Sequence, residues 1–197
     1  MRSLPARRLC TAVLGLGLTA AALAPASPAA ATDFEIDDVQ IVSRHTAGMW
    51  QAQSNGTGDG TQVATYREGG DHDNRLTDRW SLVFTAGWVQ FKNAQTGKCA
   101  QIMDGAIEYK ELHLQPCNSA NDLQLFRVST DPITNGTGGE ATLGDITQGR
   151  TVLIKPKGNP RLAVALEEQG NRHWTQLQLR TAEPATDRIW MVERYSS

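Results

Sequence analysis

Residues 88–102 read Trp88-Val-Gln-Phe-Lys-Asn-Ala-Gln-Thr-Gly-Lys-Cys99-Ala-Gln-Ile102. The frame they carry, Val89-x-Phe91 with an apolar residue at Cys99, occurs twice more. Val39-x-Ile41 leads to Met49 at the same offset, and Val152-x-Ile154 leads to Leu162. Each unit then continues in one order. A short alternating run follows (Val63-Ala64-Thr65-Tyr66, Leu112-His113-Leu114, Leu177-Gln178-Leu179), and then a closing aromatic at Trp80, Phe126 or Trp190. The residues two before those aromatics are Asp78, Gln124 and Arg188. A threefold internal repeat fixes the architecture before any single residue is interpreted.

The repeat is uneven. Met49 to Cys99 is 50 residues and Cys99 to Leu162 is 63, so the later interval carries an insertion. Thr134-Asn-Gly-Thr-Gly-Gly-Glu140 marks it as a polar, glycine-rich loop.

The first 31 residues read as a targeting segment. Arg2, Arg7 and Arg8 precede an apolar run from Thr11 to Ala24, and Ala29-Ala30-Ala31 supplies an A-x-A cleavage signal. The expectation is a signal peptide at 1–31 and a secreted product. Arg7-Arg8 raises a twin-arginine route, although the residues around the pair fit that signal poorly. Cys10 precedes the apolar run and is badly placed for a lipid anchor. Nothing after Ala31 approaches the ~20 apolar residues of a membrane span, so no membrane insertion is expected.

Without Arg2, Arg7 and Arg8, the 19 basic residues fall to 16 against 21 acidic ones, a net charge of −5. That sign does not suit a nucleic-acid backbone, and no Lys or Arg cluster overrides it. Two cysteines remain, Cys99 and Cys117. In an oxidising compartment they are predicted to pair, a closure worth roughly 3 kcal/mol in the chain-entropy account. The alternative is a metal pair, which lacks histidine or further cysteine at ligand spacing.

Strand signals dominate, as in Trp88-Val-Gln-Phe-Lys92 and Thr151-Val-Leu-Ile-Lys155, and no stretch shows helical periodicity over two turns. The fold class is therefore all-β. Units of about 50 residues cannot each bury an apolar face alone, whereas three can close around a shared axis and pool their apolar columns. A single β-trefoil satisfies this, with a β-sandwich as the rival. Ile41, Phe91 and Ile154 are expected to form one core layer, Met49, Cys99 and Leu162 another, and Trp80, Phe126 and Trp190 a third. The expected division is a lead-in at 32–37 and a trefoil over 38–197. Its lobes run 38–87, 88–130 and 150–195, with a loop at 131–149.

The second lobe resembles the ricin-type β-trefoil lectins in Thr96-Gly-Lys-Cys99-Ala-Gln-Ile102, Leu112-His-Leu-Gln-Pro-Cys117-Asn and Gln124-Leu-Phe126. The first lobe carries Gly60-Thr61-x-Val63 and Trp80, and the third carries Thr175-x-Leu177-Gln178-Leu179 and Trp190. The resemblance implies that Cys99 and Cys117 form the family's intra-lobe disulfide. It also implies a sugar site in each lobe, built from an aspartate, an aromatic platform and an asparagine. The aspartate positions match Gln51, Gln101 and Val164. The aromatic positions match Tyr66, Gln115 and Arg180, and the asparagine positions match Thr77, Leu123 and Asp187. No lobe keeps all three groups. A carboxylate accepts two charge-assisted bonds from neighbouring hydroxyls, where a glutamine amide offers one neutral acceptor and a donor. The first lobe is least damaged, so the candidate carbohydrate site is Gln51, Tyr66, Thr77 and Asp78. The implied function is weak, non-catalytic glycan binding by a lectin-like secreted protein.

Trp50 follows Met49 and should face away from the layer Met49 enters, so Trp50 and Trp174 are weaker candidates for glycan or partner contact. Asp71-His72-Asp73-Asn74 carries ligand-type side chains but reads more simply as a solvated loop tip. No metal site and no cofactor is implied. The four histidines sit in no nucleophile or zinc motif, and adjacent acids such as Asp37-Asp38 do not establish a cleft for glycoside hydrolysis, so an enzyme is not expected. Two other function classes remain. One is a binding subunit for a secreted protein partner, similar to the trefoil subunits of cytolethal distending toxins. The other is a secreted protease inhibitor, for which no residue marks a reactive loop.

Overall fold

A computed structural model describes residues 33–67, 76–130, 139–169, 174–183 and 185–195. The segment read as a signal peptide, Asp71-His72-Asp73-Asn74 and most of the glycine-rich loop lie outside these residues.

Twelve antiparallel strands appear among the described residues, four to a lobe. The first lobe has β1 (Phe34–Ser43), β2 (Gly48–Ala52), β3 (Val63–Arg67) and β4 (Trp80–Thr85). The second has β5 (Trp88–Asn93), β6 (Cys99–Ile102), β7 (Leu112–Gln115) and β8 (Phe126–Thr130). The third has β9 (Thr151–Pro156), β10 (Leu162–Leu166), β11 (Thr175–Thr181) and β12 (Trp190–Arg194). The fold is an all-β trefoil. β1 begins inside the stretch read as a lead-in, pairing Phe34 with Phe84 and Ile36 with Leu82.

The register shows how the three lobes close. Each closing aromatic pairs back onto the first strand of its own lobe, Trp80 with Val39, Phe126 with Val89 and Trp190 with Val152. Each also pairs onward to the next lobe: Trp80 with Asn93, Phe126 with Pro156 and Trp190 with Ser43. The last of these pairings joins the third lobe to the first and completes the circle.

The predicted layer of Ile41, Phe91 and Ile154 is buried, as is that of Trp80, Phe126 and Trp190. The layer assigned to Met49, Cys99 and Leu162 needs correction. All three are buried, but the residues equivalent to one another in the core cluster are Trp50, Ala100 and Val164. Trp80 Nε1 donates to the Trp50 carbonyl at 2.9 Å, and Trp190 Nε1 donates to the Val164 carbonyl at 2.8 Å, which makes Trp50 and Val164 counterparts. The turn after Pro156 therefore holds one residue more than the turn after Asn93, and the third-lobe counterpart of Cys99 is Ala163. Trp50 lies in the core against Trp80, Phe91 and Trp190, at centroid distances of 5.9, 5.3 and 5.4 Å. The contact role expected for Trp50 is thereby overturned, because its side chain is 0% exposed.

The insertion holds a short helix, α1 (Leu143–Thr147), that the sequence did not announce. Thr142 and Asp145 form a reciprocal capping box at its start. Cys99 and Cys117 form a disulfide with Cα atoms 4.9 Å apart.

Candidate functional site

In every lobe a single 3₁₀ turn precedes the closing aromatic, at Leu76–Asp78, Asp122–Gln124 and Thr186–Arg188. These turns bring the last two site columns against the hairpin that carries the others. In the first lobe, β2 pairs Gln51 with Ala64 and Met49 with Tyr66, so the hairpin presents Gln51 and Tyr66. Thr77 Oγ1 donates to Gln51 Oε1 at 3.5 Å, and Gln40 Nε2 donates to Asp78 Oδ2 at 3.1 Å. Gln51, Thr77 and Asp78 are 4%, 2% and 7% exposed, so all three lie almost wholly inside the fold.

Tyr66 differs from these three because its side chain is half-buried. Trp174, also half-buried, arrives from the third lobe and lies against it, with centroids 4.8 Å apart and planes at 48°. The structure therefore brings together Tyr66 and Trp174, which the sequence reading had kept apart. β3 and β11 pair through Thr65 and Thr175, which places one residue from each lobe at the same seam.

The second lobe has assembled amides where the sequence saw only loss. Gln101 Oε1 accepts from Asn121 Nδ2 at 2.9 Å and from Gln124 Nε2 at 3.0 Å. Gln124 Oε1 accepts in turn from Gln90 Nε2 at 3.0 Å. Asn121 also caps the 3₁₀ turn by accepting from the Leu123 backbone N–H at 3.1 Å. It was missed because it stands two residues before Leu123, the position matched to the family's asparagine. In the third lobe the counterpart of Gln51 is Ala165, which pairs with Gln178. Val164 points into the core, so its assignment to the aspartate column is corrected by one residue.

A polar chain runs across all three lobes near their common axis. Gln176 Nε2 donates to Gln62 Oε1 at 2.7 Å, and Gln62 Nε2 donates to Glu111 Oε2 at 2.8 Å. Glu111 Oε2 lies 3.0 Å from His113 Nε2, and His113 Nδ1 lies 2.8 Å from the Gly60 carbonyl. The bond with His113 is the foremost cause holding the Glu111 carboxyl below the ordinary carboxylate range. The Gln62 amide adds to it, while partial burial opposes both. Leu112 and Leu114 on either side of His113 face the core, as alternation requires. A cleft of about 340 Å³ opens beside this chain, lined by Met103, Asp104, Tyr109, Lys110, Glu111 and His113. The sequence reading had not singled out this cleft.

Elsewhere, Phe34 and Phe84 stack at 4.3 Å with planes 9° apart. With Val89, Val128, Leu143 and Ile146 they line an apolar cleft of about 260 Å³. Among the described residues no group of three His, Cys, Asp or Glu could hold a metal ion. No described helix is long and apolar enough to cross a membrane.

No known family's sequence model matches this chain, and no curated protein does. Solved structures do match it in fold. A designed threefold-symmetric protein, ThreeFoil, is 15% identical with a TM-score of 0.62, covering 78% of this chain and 96% of its own. A ricin B-like lectin from Macrolepiota procera, solved with lactose, is 10% identical with a TM-score of 0.61, covering 86% and 99%. The cytolethal distending toxin from Actinobacillus actinomycetemcomitans is 14% identical with a TM-score of 0.57, covering 78% and 88%. The chain thus shares the β-trefoil fold of the ricin B-like lectins.

Proposed function

We propose that this is a secreted, non-catalytic lectin-like protein that binds cell-surface or polymeric glycans weakly through its first lobe. The observation that carries the reading is the half-buried Tyr66–Trp174 pair at the first lobe's aromatic column. Two adjoining rings offer an apolar face for sugar C–H groups. Gln51, Thr77 and Asp78 are the polar groups of the proposed site, and Gln51 supplies an amide where a carboxylate would bind more strongly. Low affinity per site follows from that exchange. The fold is shared with a lectin that was solved with lactose, and lactose is the first probe to use. A glycan array with the mature chain tests the reading. Tyr66→Ala should lower the signal roughly tenfold, the equivalent of about 1.4 kcal/mol. Wild-type signals no higher than those of the variant would sink it.

A second reading is favoured by the Phe34–Phe84 cleft, an apolar surface that a binding subunit would use for a protein partner. The fold shared with the cytolethal distending toxin supports it. Copurification of the secreted protein from its own source should then recover a second chain. A strictly monomeric product that binds glycans counts against it.

A further inference from the structure

Positions 60, 109 and 174 are equivalent, each standing three residues before an inward-facing Val63, Leu112 or Leu177. All three have left-handed backbone, with φ of 80° at Gly60, 67° at Tyr109 and 61° at Trp174. Glycine adopts this conformation freely, whereas a bulky ring resists it. The backbone junction works without any side chain. Gly60 donates its N–H to the Leu114 carbonyl at 2.8 Å, and Tyr109 donates to the Leu179 carbonyl at 2.8 Å in the same way. The two aromatics are therefore not required by the lobe junction that Gly60 makes equally well.

Each ring instead reaches the platform column of the following lobe. Trp174 lies on Tyr66, and Tyr109 lies under the Arg180 guanidinium at 4.6 Å. The third lobe has lost its own platform to Arg180, and Tyr109 restores an aromatic there from the neighbouring lobe. Tyr109 is 60% exposed and forms one wall of the cleft that also contains Asp104, Lys110, Glu111 and His113.

We propose that this cleft is a second saccharide site, built at the seam of the second and third lobes and suited to a neutral hexose unit. Tyr109 offers its ring for stacking, and Asp104 and Glu111 accept from vicinal hydroxyls. The nearby cations are already engaged, Lys110 with Asp104 at 3.3 Å and Arg180 with the Tyr109 ring. Together with the acids at Asp104, Glu108 and Glu111, this disfavours an anionic sugar. The seam of the first and second lobes has Gly60 and Gln115 in the corresponding places and hence no platform. The proposal rests on the glycan-binding reading and extends it to two sites, which a polymeric glycan can engage together.

Titrating lactose into the mature chain while following backbone amide spectra reads the two seams separately. Shifts at Tyr109–His113 and at Tyr66 and Trp174 are the expected result. Shifts at Tyr66 and Trp174 alone overturn the second site and leave the first-lobe reading standing. Shifts at Tyr109–His113 alone retain the second site and remove the first. Silence at both seams with lactose, galactose, N-acetylgalactosamine, glucose and mannose overturns both, and a preference for glucuronate overturns the neutral assignment. Tyr109→Gly reproduces the first lobe's own residue and should keep the fold, checked by an unchanged far-ultraviolet spectrum. On a lactose-coated surface this variant should lose roughly 100-fold in apparent affinity as bivalent attachment is lost. Retention equal to wild type overturns the proposal.

Discussion

Trp50 is fully buried among three other aromatic rings, and its counterparts in the other lobes are Ala100 and Val164. One indole thus fills much of the space about the axis that an exact threefold repeat would divide equally. Trp50→Ala should cost about 3–5 kcal/mol by emptying that space. Its Nε1 makes no hydrogen bond, so Trp50→Phe forfeits none and should cost less than the alanine change, about 1–3 kcal/mol for the smaller space it empties. Denaturant unfolding of the two variants checks both values. The sequence misled at this residue for a definite reason. Met49 is apolar and occupies the same offset as Cys99, so the frame assigned the core to the wrong parity of β2. A single added residue after Pro156 put Leu162, which does face the core beside Val164, at the offset that Met49 and Cys99 occupy, and so hid the slip. The columns of Ile41 and Trp80 were legible because pairing in the ladder fixes them on both sides.

At the scale of elements, the β6–β7 hairpin is closed at its base by Cys99–Cys117, and its far end carries Tyr109 and Asp104. Replacing both cysteines by alanine should lower stability by roughly 3 kcal/mol. For a chain of this size the unfolding temperature should fall by about 6–12 °C. Calorimetry in the absence and presence of reductant measures it, and only the wild type should respond to reductant. The helix α1 shows the limit of periodicity as a signal. Five residues cannot complete two turns, so only its capping pair, Thr142 and Asp145, was available in the sequence, inside a segment otherwise read as loop. The seam between Tyr66 and Trp174 was hidden differently. Each residue was visible in its own lobe, but their contact depends on the pairing of β3 with β11.

At the scale of the whole molecule, the chain of Gln176, Gln62, Glu111 and His113 ties the three lobes through one carboxylate. Glu111 has its pKa lowered by folding from the ordinary 4.5. A group lowered in this way stabilises the fold above its unfolded-state value, and that contribution disappears as pH falls through the folded one. Wild type should thus lose stability below pH 4.5, where the unfolded chain takes up the proton first. Glu111→Gln should be less stable than wild type at neutral pH, and the gap should narrow as pH falls below 4.5. Thermal midpoints across that range decide the matter, and a gap independent of pH would count against the role of Glu111.

The circle of strands also frees the order in which the lobes are strung. β1 lies beside β12, with Val39 opposite Arg194 and the Tyr195 N–H bonded to the Asp38 carbonyl at 2.8 Å. The two ends of the described fold are thus neighbours, and Ala86-Gly87 is an exposed turn between β4 and β5. A circular permutant that opens at this turn and joins the old ends through a short flexible linker should fold to the same trefoil, beginning with the second lobe. Which lobe is translated first is then a matter of where the ring is cut, and a fused passenger can be launched from either face of the cut.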